Sequence, residues 1–385
     1  MQFIGETDVK NKKVLLRADF NVDLDENGKI LSDFRIRAVL PTIDYLFQNG
    51  ASRIIIISHL GKPKAGDEKL TLKPVGEKLQ QLLGKPVVFL DDCRGEKIKK
   101  AIGEAANSST ILLENLRFYP EEENNDNNFA KELASLADIY VNDAFGVCHR
   151  LNASVAAVTK FLPSFAGLLL KKEIENLNKV MAGFERPLVL ILGGAKISTK
   201  LPLIKKFLGM ADYVILGGAL ASTVLKAWDF EVGESLVETR MLKEAGSLGS
   251  NRAELLMPGD FLVADSFEGK VFKKRIMGEV KENEIILDIG DDSIRTFNQI
   301  IKEAKTIVWN GPMGYFENPL FKNGTEEIAK SISQASAFSV VGGGETLIVL
   351  EKMNLMEKIS FVSTGGGAML QFLSGEEMPG LLALK

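Results

Sequence analysis

Short apolar runs rich in β-branched residues alternate with longer amphipathic segments along the whole 385-residue chain. Eleven of these runs are predicted as strands, over residues 14–16, 54–57, 87–90, 111–113, 139–141, 188–192, 213–216, 284–287, 306–309, 338–341 and 359–362. Apolar residues recur every three or four positions between the runs, and Thr71 and Gly84 suit the two ends of one such helix. Strands that alternate with helices form parallel sheets covered on both faces. The predicted fold class is therefore α/β, with doubly wound parallel sheets.

A helix between two such sheets is predicted over residues 169–183. Leu170, Ile174 and Leu177 fall on one face at helical spacing, and a proline lies beyond each end. A chain of this length suits two domains, so we predict a stiff connector whose ends can act as hinges. One further helix covering the first sheet stays open as the alternative.

Polar and basic side chains follow the predicted strands of the first half. They are Arg17, Asp19, Asn21, His59, Lys62, Arg117, His149 and Arg150, with Arg35 and Arg37 in another loop. Ligands of α/β sheets bind at the carboxyl ends of the strands, so these side chains would converge. Guanidinium, imidazole and amide groups together suit a small, multiply anionic molecule. A surface ion pair is the ordinary alternative for any single arginine, but four strand ends of the same character favour a pocket.

Glycines follow the predicted strands of the second half. They form turns at residues 193–194, 217–218, 310–314, 342–344 and 365–367. Glycine between a strand and a helix lets backbone N–H groups approach an anion closely, although tight turns also use glycine for structural reasons alone. Five such turns in one half predict a cradle for a phosphorylated, nucleotide-like ligand. Lys196 and Lys200 would add positive charge beside the first turn.

Other features of the chain exclude several classes of protein. The phosphate-binding signature G-x-x-x-x-G-K-[ST] is absent, and so is G-x-G-x-x-G, which argues against P-loop enzymes and NAD-dependent dehydrogenases. A net charge of −4 argues against a nucleic-acid partner. Two Cys and two His leave little room for disulfides or a zinc site. No apolar run is long enough for a leader or a membrane span, so we expect a soluble, cytoplasmic protein with no membrane partner.

A small anion in one domain and a nucleotide in the other, facing a common cleft, would suit direct phosphoryl transfer. Nine segments resemble those of the phosphoglycerate kinase family, in the same order, from about residue 10 to the C-terminus. They are RADFNVDL (17–24), SHLGKP (58–63), LLENLRFYPEEE (112–123), YVNDAFGVCHR (140–150), LVLILGGAKISTK (188–200), VILGGAL (214–220), IVWNGPMGYFE (307–317), VVGGGET (340–346) and FVSTGGGAMLQFLSGEEMPG (361–380).

The resemblance implies a monomeric enzyme of glycolysis and gluconeogenesis. Such an enzyme transfers a phosphoryl group reversibly between 1,3-bisphosphoglycerate with Mg-ADP and 3-phosphoglycerate with ATP. Residues 1–168 would bind phosphoglycerate, residues 184–369 would bind the nucleotide, and the tail over 370–385 would return to the first domain. Domain closure about the connecting helix would exclude water during in-line transfer.

The resemblance also implies site residues. Asp19, Asn21, Arg35, His59, Leu60, Gly61, Lys62, Arg117 and Arg150 would bind phosphoglycerate. Lys196, Lys200, Gly290, Glu317, Gly343, Gly344, Glu345 and Thr346 would contact the nucleotide, and Gly365, Gly366 and Gly367 would line the phosphate path. Arg35 and Lys200 would stabilise the transferring group, and Glu345 would hold Mg²⁺ through the nucleotide.

Three positions depart from the family pattern. Glu345 stands where the family usually has Asp, Lys62 where it has Arg, and Asn152 where it has a His two positions after the last arginine of the site. None of these is a proposed transfer residue, so we expect activity with altered affinity for Mg²⁺ or substrate. A catalytically impaired nucleotide-binding protein on the same fold stays open as the alternative, as does a kinase or reductase acting on other substrates.

Overall fold

The computed structural model describes residues 1–63, 68–248 and 255–385. The chain forms two compact units, which we call unit 1 (Met1–Glu175 with Glu376–Lys385) and unit 2 (Asn176–Gly375). The boundary between Glu175 and Asn176 falls inside helix α6 (Leu168–Ala182). One continuous helix thus contributes residues to both units.

Unit 1 is built on a six-stranded parallel sheet in the order β3-β4-β2-β1-β5-β6. The strands are β1 (Lys13–Arg17), β2 (Arg53–Ile57), β3 (Val87–Leu90), β4 (Ser109–Leu113), β5 (Ile139–Asn142) and β6 (Ser164–Ala166). The side chains of the central strands are buried almost throughout, as expected of a sheet covered on both faces. Strand β6 was not predicted, since its three residues include no β-branched side chain.

Besides the first part of α6, the described part of unit 1 contains six α-helices. They are α1 (Phe34–Gln48), α2 (Lys73–Leu83), α3 (Glu96–Glu104), α4 (Pro120–Glu123), α5 (Asn127–Ala134) and α14 (Pro379–Leu382). Helix α2 ends at Gly84 in the left-handed conformation, as predicted. Its N-cap, however, is Leu72 and not the predicted Thr71, whose hydroxyl donates to Glu114.

Unit 2 contains a second six-stranded parallel sheet, in the order β15-β14-β13-β7-β8-β9. The strands are β7 (Leu188–Leu192), β8 (Tyr213–Leu216), β9 (Leu255–Leu256), β13 (Thr306–Asn310), β14 (Phe338–Gly342) and β15 (Phe361–Ser363). The helices of this unit are α7 (Leu201–Leu208), α8 (Gly218–Ala227), α9 (Leu242–Gly246), α10 (Asp291–Glu303), α11 (Asn323–Gln334), α12 (Gly344–Lys352) and α13 (Gly367–Ser374). The predicted α/β class is confirmed in both units.

A small antiparallel sheet in unit 2 was not predicted. It has the order β11-β10-β12, with β10 (Asp260–Ala264), β11 (Lys273–Ile276) and β12 (Ile285–Ile289). The run at residues 284–287 was predicted as a strand of the parallel sheet, and this placement is wrong. Strand β12 pairs with β10 in the antiparallel sense, and periodicity alone does not reveal a strand's partner. No helix in the described part of the chain is long and apolar enough to cross a membrane.

Candidate active site

Four adjacent strands of unit 1 end beside one another. Strands β4, β2, β1 and β5 are consecutive in the sheet and parallel, so their carboxyl ends share one edge. Arg117, His59, Asp19 and Arg150 follow these four strands in that order. The structure therefore brings to one edge the side chains that the sequence distributes over more than 130 residues.

Several polar contacts hold the loop after β1, and two of them involve side chains of the predicted site. Arg35 and Arg37 lie in the first turn of α1 and not in the predicted loop. Arg35 donates from Nη1 to Asp19 Oδ2 at 2.8 Å. Gly61 donates its backbone N–H to Asn21 Oδ1 at 2.7 Å, which ties this loop to the loop after β2. The Asp19 carboxylate is buried, whereas the Arg35 side chain keeps 24% of its surface exposed. Arg35 is thus oriented by a carboxylate while remaining accessible to a ligand.

The buried Asn115 side chain organises the loop after β2. Its Oδ1 accepts from the N–H groups of Leu60 and Arg117, and its Nδ2 donates to the Leu60 carbonyl at 2.8 Å. Arg117 in turn donates from Nη1 to the Gly61 carbonyl at 2.6 Å. Lys62, next in the chain, is exposed. The backbones of Leu60 and Gly61 are therefore held in place, and neither residue has a polar side chain.

His59 lies among cationic side chains. It is 2% exposed, and desolvation, followed by the charges of Arg17, Arg117, Arg150 and Arg35, lowers its pKa well below the ordinary value. A cluster of guanidinium groups around a neutral imidazole is an environment that favours an anionic ligand. Arg17, which the sequence predicted at this edge, is part of this cluster, although the site residues implied by the family resemblance did not include it.

The five glycine turns of unit 2 also lie at neighbouring strand ends. Strands β15, β14, β13, β7 and β8 are consecutive and parallel, and each ends at one of the predicted turns. Helices α12 and α13 begin at Gly344 and Gly367, directly after two of these turns, and Gly365 and Gly366 precede the second. Their N-terminal N–H groups supply positive partial charge at this edge.

Lys200 and Glu345 meet at the first of these turns. Gly194 has φ of +85°, and a side chain there would approach both Lys200 Nζ and Glu345. The buried Lys200 ammonium donates to the Gly193 carbonyl. Burial lowers the pKa of Lys200 to about 8, against the opposing effect of the Glu345 charge. Desolvation also raises the pKa of Glu345, and the nearby Glu317 raises it further.

A cleft opens next to this pair. Its wall includes Glu317 and Glu345 from the predicted set, together with Gly194, Gly218 and Pro312 from the turns. The predicted Lys196 is exposed nearby in the chain, and Thr346 is buried, where its hydroxyl accepts from Gly311 N–H at 2.8 Å. Gly343 is the N-cap of α12.

Gly290 is placed differently from the other predicted glycines. It is the N-cap of α10, and the Asp260 carboxylate accepts from the N–H groups of Asp292 and Ser293 in that helix. The N-terminus of α10 is therefore already occupied by a protein carboxylate. Its neighbour Ile289, and not Gly290, contributes to the wall of the cleft.

The apolar part of the cleft wall was missed at the sequence level. It includes Leu236, Phe261, Ile286, Leu287, Met313 and Tyr315. Three of these residues belong to β10 and β12, whose pairing was not predicted. Flat apolar walls beside charged groups suit a planar base attached to phosphates. Among the described residues, no group of three or more His, Cys, Asp or Glu is arranged to hold a metal ion.

Comparison with known proteins relates this arrangement to a family. The family profile described as phosphoglycerate kinase matches residues 4–376. The chain belongs to the phosphoglycerate kinase family. Among curated relatives, the phosphoglycerate kinase of Dictyoglomus turgidum is 46% identical over 388 residues, covering 99% of this chain and 98% of the relative. The cytosolic phosphoglycerate kinase of Triticum aestivum is 46% identical over 390 residues, covering 99% of this chain and 97% of the relative.

Solved structures of the family show the same fold. The phosphoglycerate kinase of Pyrococcus horikoshii superposes with a TM-score of 0.91 at 34% identity, covering 100% of this chain and 98% of that one. The structure from Coxiella burnetii gives a TM-score of 0.83 at 38% identity, covering 99% and 98%. The chain is therefore an enzyme of glycolysis that transfers a phosphoryl group between 1,3-bisphosphoglycerate with ADP and 3-phosphoglycerate with ATP. Nothing in these findings favours the impaired alternative.

Proposed function

We propose that unit 1 binds the phosphoglycerate through side chains and that unit 2 binds the nucleotide through backbone groups. The observation that carries this proposal is the contrast between the two sheet edges. Four adjacent strands of one sheet lead into charged side chains, and five adjacent strands of the other lead into glycine turns. The first edge suits a small molecule with several negative charges, and the second suits a longer phosphate chain.

On the phosphoglycerate side, Asp19, Asn21, His59, Arg117 and Arg150 are the proposed ligand-binding side chains. The three loops that carry most of them are joined by the Gly61–Asn21 and Arg117–Gly61 hydrogen bonds. These bonds hold the donors in place before the substrate arrives, which reduces the ordering cost of binding. The exposed Lys62 adds charge without the two-pronged geometry that an arginine offers.

Two cations are proposed to stabilise the group in transfer. Arg35 is oriented by Asp19 and remains accessible, and Lys200 lies beside the Gly193–Gly194 turn. Phosphoryl transfer depends mainly on positioning and on neutralising charge, so the chain needs no nucleophile of its own. Direct transfer requires the acyl phosphate held by unit 1 to meet the nucleotide held by unit 2, which the hinge predicted from the sequence would permit.

The residues at the unit 2 edge fit a magnesium-bound nucleotide. Glu345 and Glu317 both line the cleft and are both exposed, and Mg²⁺ is commonly held by one or two carboxylates together with substrate phosphates. Glu345 is the proposed protein group for this role, acting through the nucleotide. When bound, the ion would neutralise phosphate charge. Lys196, Gly343, Gly344 and Thr346 are proposed to complete the phosphate site, and Gly365, Gly366 and Gly367 to line the path between the ligands.

We further propose that the chain acts in the cytoplasm as a monomer, with small-molecule substrates and without nucleic-acid or membrane partners. The relatives from Triticum aestivum and Arabidopsis thaliana are described as cytosolic, which supports the location. The net charge of −4 supports the expectation about nucleic acids.

A coupled assay with 3-phosphoglycerate, ATP and Mg²⁺ tests the proposal on the full chain. Wild-type protein is expected to turn over, and Arg35→Ala to lower kcat about 10²- to 10³-fold, because a charge-stabilising donor is lost. Arg37→Ala is the matched control, since Arg37 lies on the same helix with an exposed side chain paired to Asp33. It should leave kcat within about twofold. Absence of turnover, or equal effects of the two substitutions, would refute the assigned role.

A further inference from the structure

Arg17, the last residue of β1, carries a charge into the interior of unit 1. It is 1% exposed, and its closest carboxylate oxygen, Glu122 Oε1, lies 3.8 Å from Nη2. Burying a cation is costly unless its hydrogen bonds are well satisfied. The partners of the Arg17 guanidinium therefore show what this residue does.

Two of those partners are oxygens that hold the guanidinium in position. Arg17 donates from Nε to Ser154 Oγ at 2.8 Å and from Nη1 to the Ala18 carbonyl. The Ser154 hydroxyl is fixed in turn, because it donates to Glu122 Oε1 at 2.6 Å while the Ser154 N–H donates to Oε2 at 2.9 Å. Glu122 is fully buried. The orientation of the Arg17 guanidinium is thus fixed by Ser154, which Glu122 holds in place, and by the Ala18 carbonyl.

The third partner is a ring nitrogen of His59. Arg17 Nη2 lies 3.2 Å from His59 Nδ1. A guanidinium has only donors and keeps its proton at all relevant pH values, so Nδ1 must be the acceptor. An imidazole that accepts at Nδ1 carries its single proton on Nε2. Within the described part of the chain, Nε2 has no hydrogen-bond partner in the protein.

The surroundings of His59 also favour a neutral imidazole ring. Arg35, Arg117 and Arg150 also add positive charge around the ring, and burial removes it from water. Both effects disfavour a second proton on the imidazole and lower its pKa. Charge alone, however, does not choose between the two neutral tautomers. The contact with Arg17 makes that choice.

We propose that Arg17 is a positioning residue that fixes His59 as a neutral imidazole with its proton on Nε2. His59 then offers the substrate a directed hydrogen-bond donor, while the arginines supply the positive charge. This inference rests on the proposed function in one respect, the binding of phosphoglycerate by His59. The tautomer itself is a property of the unliganded protein.

Nitrogen-15 NMR of the unliganded full-length protein tests the tautomer directly. The chain has two histidines, His59 and His149, so long-range proton–nitrogen correlations give two ring patterns, and His59→Gln assigns them. The expected His59 pattern between pH 6.5 and 8 has a protonated Nε2 and an unprotonated Nδ1. A proton on Nδ1, or two protonated nitrogens at pH 7, would overturn the proposal whether or not the enzyme turns over.

Arg17→Met tests whether the arginine is the cause. Without the donor, the His59 signals are expected to show both tautomers, and KM for 3-phosphoglycerate to rise on the order of tenfold while KM for ATP stays unchanged. Arg53→Met is the matched control, because Arg53 donates to backbone carbonyls at the other end of a strand in the same sheet. It should leave the His59 pattern intact.

If Arg17→Met does not fold, the wild-type tautomer still tests the predicted protonation of His59, and a second variant tests the cause. Arg17→Lys then provides the second variant, since it keeps the charge but cannot bond Ser154 and His59 with one rigid group. It is expected to mix the tautomers as well. An unchanged single tautomer in a folded Arg17 variant would show that another group fixes the ring, and would contradict the inference.

Discussion

Lys200 carries a charge that the protein alone supports only weakly. Its ammonium is buried against the Gly193 and Asn310 carbonyls, and the charge of the nearby Glu345 carboxylate opposes the effect of this burial only in part. Burial therefore prevails, and the pKa of Lys200 falls to about 8. A bound phosphate chain would favour the protonated form of Lys200 and so raise its pKa.

The low pKa of Lys200 in the free protein predicts proton uptake when the nucleotide binds. With a pKa of about 8, roughly three quarters of Lys200 is neutral at pH 8.5 in the free protein and almost none at pH 6.5. Phosphate raises the pKa, so binding at pH 8.5 should take up more than half a proton, and binding at pH 6.5 close to none from this group. Calorimetric titration with Mg-ADP, in buffers of different ionisation enthalpy, measures the number of protons taken up on binding.

Lys200→Arg is the control for this titration, because a guanidinium stays charged at both pH values. The difference in proton uptake between pH 6.5 and pH 8.5 should disappear in this variant. An equal proton number at both pH values in the wild type would contradict a depressed pKa at Lys200.

Single residues of the site could be predicted from the sequence only where they lie within a recognisable motif. Asp19, His59 and Lys200 stand in long motifs that follow strands. Arg17 stands in the same motif as Asp19, yet its partner Ser154 is 137 residues away in the chain. Its role depends on that distant contact, which local sequence does not show.

At the level of elements, the start of helix α6 depends on one buried carboxylate. Asp143, after β5, accepts from the Leu170 N–H at 2.9 Å in the first turn of the helix. Burial nevertheless raises the pKa of Asp143 to about 7. Gly167 comes directly before the helix, and a Cβ atom there would overlap the Asp143 carboxylate. The glycine is therefore needed for the close approach of this cap.

Gly167→Ala is expected to lower the free energy of unfolding by about 2 kcal/mol, through overpacking and a displaced cap. Gly103→Ala is the matched control, because Gly103 is an exposed residue of helix α3 with open space around it. That substitution should stabilise by about 0.5–1 kcal/mol. Urea denaturation of both variants measures the difference, and equal stability changes would show that Gly167 has no packing role.

Helices and strands could be predicted where the hydrophobic periodicity is strong. They could not be predicted where the partner of a strand decides which sheet it joins. All of the parallel strands longer than three residues were anticipated in position, since buried apolar runs mark them. Strand β11 was missed because its sequence, Lys273–Ile276, is mostly charged and exposed. Strand β12 was placed in the wrong sheet, and with it the apolar wall of the nucleotide cleft went unpredicted.

At the scale of the whole molecule, each unit has one sheet edge where functional groups collect. The strand orders β3-β4-β2-β1-β5-β6 and β15-β14-β13-β7-β8-β9 bring distant segments to those edges. The α/β class could be predicted from the alternation of strand and helix patterns along the sequence. The family could be predicted from its long motifs. The exact division inside α6 depends on packing that no single segment reveals.

The most direct test of the account is a pair of binding measurements by calorimetry, with 3-phosphoglycerate and with Mg-ADP. Arg150→Ala changes the unit 1 edge, where its guanidinium contacts His149, and Lys200→Met changes the unit 2 edge. We predict that Arg150→Ala weakens 3-phosphoglycerate binding about tenfold or more and leaves Mg-ADP binding within about twofold, and that Lys200→Met does the reverse. If either substitution weakened the other unit's ligand instead, the division of labour between the two units would be wrong.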